Sequence, residues 1–136
     1  MTTGNNNNPS KVKLNIKPDC GNAPKKELIK HLTCYFASND IEKAMEFLDT
    51  HITWTLVGDK IVNGKNQFRI ALQEMRQNKV LELTIHSIIT HGKEAAINGE
   101  MLLEDESVFG FSDFYEFTSA KGTCVKTIVS YLVEKN

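Results

Sequence analysis

One carboxylate in this chain sits at an address where carboxylates are costly. Read as a strand, Ser107 to Phe117 (SVFGFSDFYEF) puts Phe109, Phe111, Asp113, Tyr115 and Phe117 on one face, so Asp113 falls in a row of four aromatic rings. An unpaired buried carboxylate costs free energy unless it is hydrogen-bonded or takes up a proton. Asp113 therefore reads either as a general acid or base tuned by desolvation, or as a member of a structural network with a backbone N–H, a tyrosine hydroxyl or an arginine. Tyr115, two residues on, either offers its O–H to a ligand oxygen or to Asp113, or fills the core.

Other chemistry-bearing residues are less promising. His86 and His91, five apart in a strand, point to opposite faces, and no carboxylate or cysteine completes a chelating set, so no metal is expected. Cys34, between Leu32 and Phe36, reads as a small buried hydrophobe. No Gly-rich phosphate loop or Gly-x-Ser-x-Gly elbow occurs, and no cofactor is expected.

The elements that must position Asp113 show in the periodicity. Residues 1–9, with asparagines at 5 to 8, offer little to bury and are expected to be a disordered tail. Residues 10–23 form an extended arm, Val12, Leu14 and Ile16 alternating with lysines. Residues 24–136 are expected to be the folded domain. Pro24 opens a helix whose stripe is Leu28, Ile29, Leu32, Tyr35 and Phe36; Asn39 with Glu42 predicts a capping box for a second helix through Ile41, Ala44, Met45 and Leu48. His51 to Val57 switches to period two, with Ile52, Trp54 and Leu56 on one face, and Gly58-Asp59 turns it into a short return strand, Lys60 to Val62. A third helix carries Phe68, Ala71, Leu72 and Met75. Four long strands with short turns follow: 80–90, 95–103, 107–118 and 123–134. This order predicts an α+β fold with three helices on the concave face of one curved, mostly antiparallel sheet.

Composition narrows the function classes. No apolar run reaches the ~20 residues that span a bilayer, so no membrane is expected. Sixteen Lys and Arg against seventeen Asp and Glu give a net charge of −1, and no basic cluster interleaves with aromatics, which argues against nucleic acid. Three cysteines (Cys20, Cys34, Cys124) in no paired spacing, with no leader-like apolar stretch, suit the cytoplasm. In the last strand Val125, Thr127, Val129, Tyr131 and Val133 alternate with Ile128 and Leu132, so both faces carry apolar groups and a homodimer through the outer face is expected.

Three stretches, FASNDIEKAMEFLDTHITWTLVGD (Phe36 to Asp59), the Val62-Asn63-Gly64 step into the third helix, and SDFYEF with CVKTIVSYLVE (Ser112 to Glu134), resemble the nuclear transport factor 2-like superfamily in its SnoaL-like, ketosteroid isomerase-like branch. The resemblance covers roughly residues 25–134. It implies a cone: a bent sheet wrapped round the long first helix, a cystatin-like α+β barrel with a pocket at the open end. Carried over by position, the isomerases' general base falls on Leu56, their oxyanion-binding tyrosine on Leu32, and their protonated carboxyl group on Asp113. The implied pocket positions are Trp54, Leu72, Met101, Tyr115, Ile128 and Leu132, and Leu32, Phe36, Leu56 and Phe111 complete the expected ligand contacts. One polar position of three survives, so the expectation is a pocket for a small hydrophobic molecule, with acid–base chemistry of isomerase, cyclase, dehydratase or hydrolase type centred on Asp113. The alternative is a non-catalytic protein-interaction domain.

Overall fold

The computed structural model describes residues 12–17, 23–75 and 77–135; the expected tail and both ends of the arm lie outside the described residues. The arm's described part is a strand, β1 (Lys13–Ile16), paired in parallel with β4. Helix α1 (Pro24–Ala37) starts with proline in its first turn, as expected. Its end differs from the expectation. Asn39 takes the left-handed conformation (φ 60°), the Asp40 N–H reaches the Tyr35 carbonyl at 2.9 Å and the Asn39 N–H reaches that of Phe36 at 3.3 Å. That pair of bonds closes α1 in a Schellman turn, so Asn39 terminates one helix and does not cap the next. Helix α2 (Ile41–Met45) has Asp40 at its N-cap without a side-chain cap bond, and the predicted capping box is absent. It is also shorter than expected, because Leu48 already begins strand β2 (Leu48–Leu56).

The remaining elements are β3 (Lys60–Asn63), α3 (Lys65–Met75), β4 (Val80–His91), β5 (Glu94–Leu103), β6 (Val108–Phe117) and β7 (Val125–Lys135). They form one seven-stranded sheet in the order β1-β4-β5-β6-β7-β2-β3. The meander β4 to β7 is antiparallel, while β1 on β4 and β2 on β7 are parallel. The fold is α+β, and the curved sheet does not close: β1 and β3 are its two edges.

Curvature comes from register shifts and one glycine. The ladder slips in β4 between Ile85 and Ser87, and Gly99 sits opposite Ile85. A Cβ on Gly99 would lie 2.0 Å from the Thr84 carbonyl oxygen and 3.0 Å from the Phe111 ring. Only glycine lets the strands approach so closely here, and Phe111 folds into the space gained. A second slip, between Glu116 and Phe117 on β6, pairs Thr127 and then Val125 with successive residues. It turns Val125 inward, where it is fully buried, so Val125 does not belong to the outward row the alternation predicted.

The bend wraps the helices. Helix α1 lies against β4 and β5, and α3 against β2 and β3. Phe68 of α3 stacks on Trp54 of β2 at 4.4 Å between ring centroids and on Phe36 of α1 at 5.7 Å. These three rings tie both helices to the sheet, and Phe68 has no exposed surface.

Candidate functional site

Between α1, α3 and the concave sheet face lies a cavity of about 280 Å³. Strand alternation on β6 delivers Phe109, Phe111, Asp113 and Tyr115 to its wall, and β7 delivers Ile128, Ser130 and Leu132. Phe36, Trp54, Leu56, Leu72 and Met101 complete most of the apolar lining. Of the residues expected at the site, Leu32 alone is not on the wall. It is fully buried in the core, and Thr33, one position further round α1, faces the cavity in its place. Leu132 stands at the rim, partly exposed.

The polar groups of the inner wall are few and ordered. Asp113 and Ser130 are register partners on β6 and β7. The Trp54 indole N–H donates to Ser130 Oγ at 2.9 Å, which leaves the Ser130 proton for the Asp113 carboxylate. Asp113 is half-buried on the cavity wall. Burial pushes its pKa up to about 6, against the opposing pull of the Ser130 hydroxyl.

Tyr115 is 2% exposed. Its hydroxyl is turned toward Thr33, whose Oγ1 donates to the Ile29 carbonyl at 2.8 Å and keeps its acceptor lone pairs, but Tyr115 Oη makes no hydrogen bond of good geometry with it. Burial first, then the neighbouring Asp113 charge, holds the phenol well above its usual range, so it remains an O–H donor at neutral pH. An unpaired buried donor next to a carboxyl that titrates near neutrality suits a ligand oxygen that accepts a hydrogen bond. Among the described residues no group of three His, Cys, Asp or Glu is placed to hold a metal.

Four polar residues of the cavity wall were not expected there: Thr33, Asn39, Asn78 and Ser130. Ser130 carried a usable signal, a lone hydroxyl between Ile128 and Leu132 on the inward face of β7. Asn78, in the link between α3 and β4, carried none.

No protein-family model matches the chain, and no curated protein matches it in sequence. Solved structures match it in shape. A nuclear transport factor 2-like protein of unknown function from Cytophaga hutchinsonii is 22% identical with a TM-score of 0.59, covering 79% of this chain and 97% of that one. A candidate ketosteroid isomerase from Kribbella flavida is 16% identical with a TM-score of 0.69, covering 81% and 78%. This chain has the nuclear transport factor 2-like fold. A candidate SnoaL-like polyketide cyclase from Shewanella denitrificans, 12% identical with a TM-score of 0.68 over 81% of this chain and 91% of that one, shares it too. No helix among the described residues is long and apolar enough to cross a membrane.

Proposed function

We propose that the cone cavity binds a small hydrophobic carbonyl compound and that Asp113 moves a proton on it, in a reaction of isomerase, cyclase, dehydratase or hydrolase type. The observation that carries this reading is the pairing of an unpartnered, buried Tyr115 hydroxyl with an Asp113 carboxyl raised to about 6. Tyr115 O–H donates to the carbonyl oxygen and polarises it. The Asp113 carboxylate, mostly ionised at pH 7, takes a proton from the carbon beside the carbonyl, giving an enol or enolate and a protonated Asp113. Asp113 then returns the proton to carbon, so the carboxylate is regenerated. Trp54 and Ser130 hold the carboxylate in place and take no part in the transfer. Fold neighbours described as a candidate isomerase and a candidate cyclase support an enzyme reading.

The test uses hydrophobic ketones in D₂O. Wild-type protein is expected to show saturable thermal stabilisation and hydrogen–deuterium exchange at the carbon beside the carbonyl, read by NMR. Asp113→Asn is expected to slow exchange by ~100-fold or more with little change in affinity, and Tyr115→Phe to weaken both. Exchange that survives Asp113→Asn unchanged overturns the catalytic part, and silence across the ketones overturns the pocket reading.

The protein-interaction reading has one observation of its own, an exposed apolar row on the opposite, convex sheet face. It is compatible with the pocket, and we assign it to a homodimer. We place the protein in the cytoplasm, on the strength of cysteines in no paired spacing.

A further inference from the structure

We propose that the ligand is elongated and polar at both ends: its acceptor oxygen meets Tyr115 deep in the cone, and a hydroxyl or N–H at its far end donates to Asn78 Oδ1 near the mouth. This rests on the reading of the inner end given above.

Two buried side-chain atoms among the described residues have no hydrogen-bond partner, Tyr115 Oη and Asn78 Oδ1, and both residues line this same cavity. The Asn78 amide lies beside the Asp105 carboxylate, and an ionised carboxylate only accepts, so the amide turns its nitrogen toward Asp105 and its oxygen away.

The surrounding loop fixes that orientation. Asp105 Oδ1 accepts from the Ser107 N–H at 2.9 Å and from its hydroxyl, and these bonds hold the carboxyl below its usual range. On the other side, the Lys79 N–H donates to Glu104 Oε1 at 3.1 Å, and the Glu104 N–H to the Lys79 carbonyl at 2.9 Å. The link after α3 and the β5–β6 turn are thereby stitched together, with the Asn78 carbonyl left over. A carbonyl offered this way is an acceptor only, so the group it takes must be a donor.

The wall between the two ends is apolar: Met75, Val80, Leu103, Phe109 and Phe111 line it. Phe109 lies at the Asn78 end of β6, and six residues separate it from Tyr115, on the order of 20 Å of strand before side-chain length is subtracted. The body that fits is a hydrocarbon chain or linked rings of that order of length.

A matched series of probes separates the two ends: linear 2-alkanones of eight to fourteen carbons, their ω-hydroxy derivatives and their ω-methoxy derivatives, titrated by calorimetry. At the length that spans the cavity, the hydroxy ketone is expected to bind wild-type protein at least about tenfold tighter than the methoxy ketone, which has the same reach but no donor. Asn78→Leu is expected to abolish that advantage. Equal binding of hydroxy and methoxy ketones by the wild type at every length overturns the proposal, with or without a folded variant, as does an advantage that survives Asn78→Leu. In those cases, parent ketones that still bind and still lose affinity in Tyr115→Phe leave the inner-end reading standing. If no ketone binds at all, the inner-end reading falls and this inference falls with it.

Discussion

Asp113 and Ser130 define each other across β6 and β7. The indole N–H of Trp54 donates to the Ser130 oxygen, and the Ser130 hydroxyl is free to donate in turn to the carboxyl group. Even so, burial wins over that hydrogen bond, and the pKa settles at about 6 against an ordinary 3.8. A folded value above the unfolded one penalises the ionised form. The penalty is absent below about pH 4, grows as pH rises toward 6 and is constant above it, at about 3 kcal/mol for a gap of this size. Asp113→Asn is therefore expected to melt several degrees above the wild type at pH 7.5 and together with it at pH 4, measured by calorimetry. A variant that melts well below the wild type at pH 7.5 would show the carboxylate to be a stabilising ion, and the site would lose its acid. The aromatic address of Asp113 was readable from alternation alone. Its Ser130 partner was not, because cross-strand pairing depends on a register that the Glu116/Phe117 slip sets, and no local residue announces that slip.

At the scale of elements, periodicity located every helix and long strand to within a few residues, since burial on one side imposes the 3.6 and 2.0 repeats. Where the reading failed, a local signal had two possible uses. Asn39 suits an N-cap and a left-handed C-terminal position equally, and the two bonds that close α1 decide for the second. Leu32 entered the expected site by family position, and Thr33, one step round α1, faces the cavity instead. Gly99 carried no warning of its role, since its neighbours Thr84 and Phe111 are remote in the chain. Its substitution is a direct test of what bends the sheet. Gly99→Ala forces the β4–β5 ladder apart or the Phe111 ring out of the cavity, and is expected to cost about 3 kcal/mol in denaturant unfolding. A loss under about 1 kcal/mol would mean that the curvature is set by the bulges alone.

For the whole molecule, the sheet separates two jobs by alternation: inward residues of β4 to β7 make the pocket, and outward residues meet solvent or a partner. Ile89, Ala96, Phe114 and Val129 are successive register partners across β4, β5, β6 and β7, and so form one continuous apolar row on the convex face. Ile89 is 65% exposed and Phe114 49%, and Tyr131 packs edge-on against Phe114 at 6.0 Å between centroids, widening the row. Glu116 and Lys126, paired at 3.6 Å, lie on its border and supply a polar rim. An exposed apolar centre with a charged edge is the anatomy of an interface. In the proposed homodimer a two-fold axis through the row would place each Phe114 against its counterpart's row, so one substitution would be felt twice. Light scattering at micromolar concentration is expected to give the mass of a dimer, and Phe114→Lys to weaken association ~100-fold or more, to a monomer at the same concentration. Because Phe114 points away from its neighbours Asp113 and Tyr115, ketone binding in the cone should be retained by the monomer. A wild type of strictly monomeric mass, or a Phe114→Lys protein that remains dimeric, would remove this face from the assembly and leave the pocket as the molecule's one place of recognition.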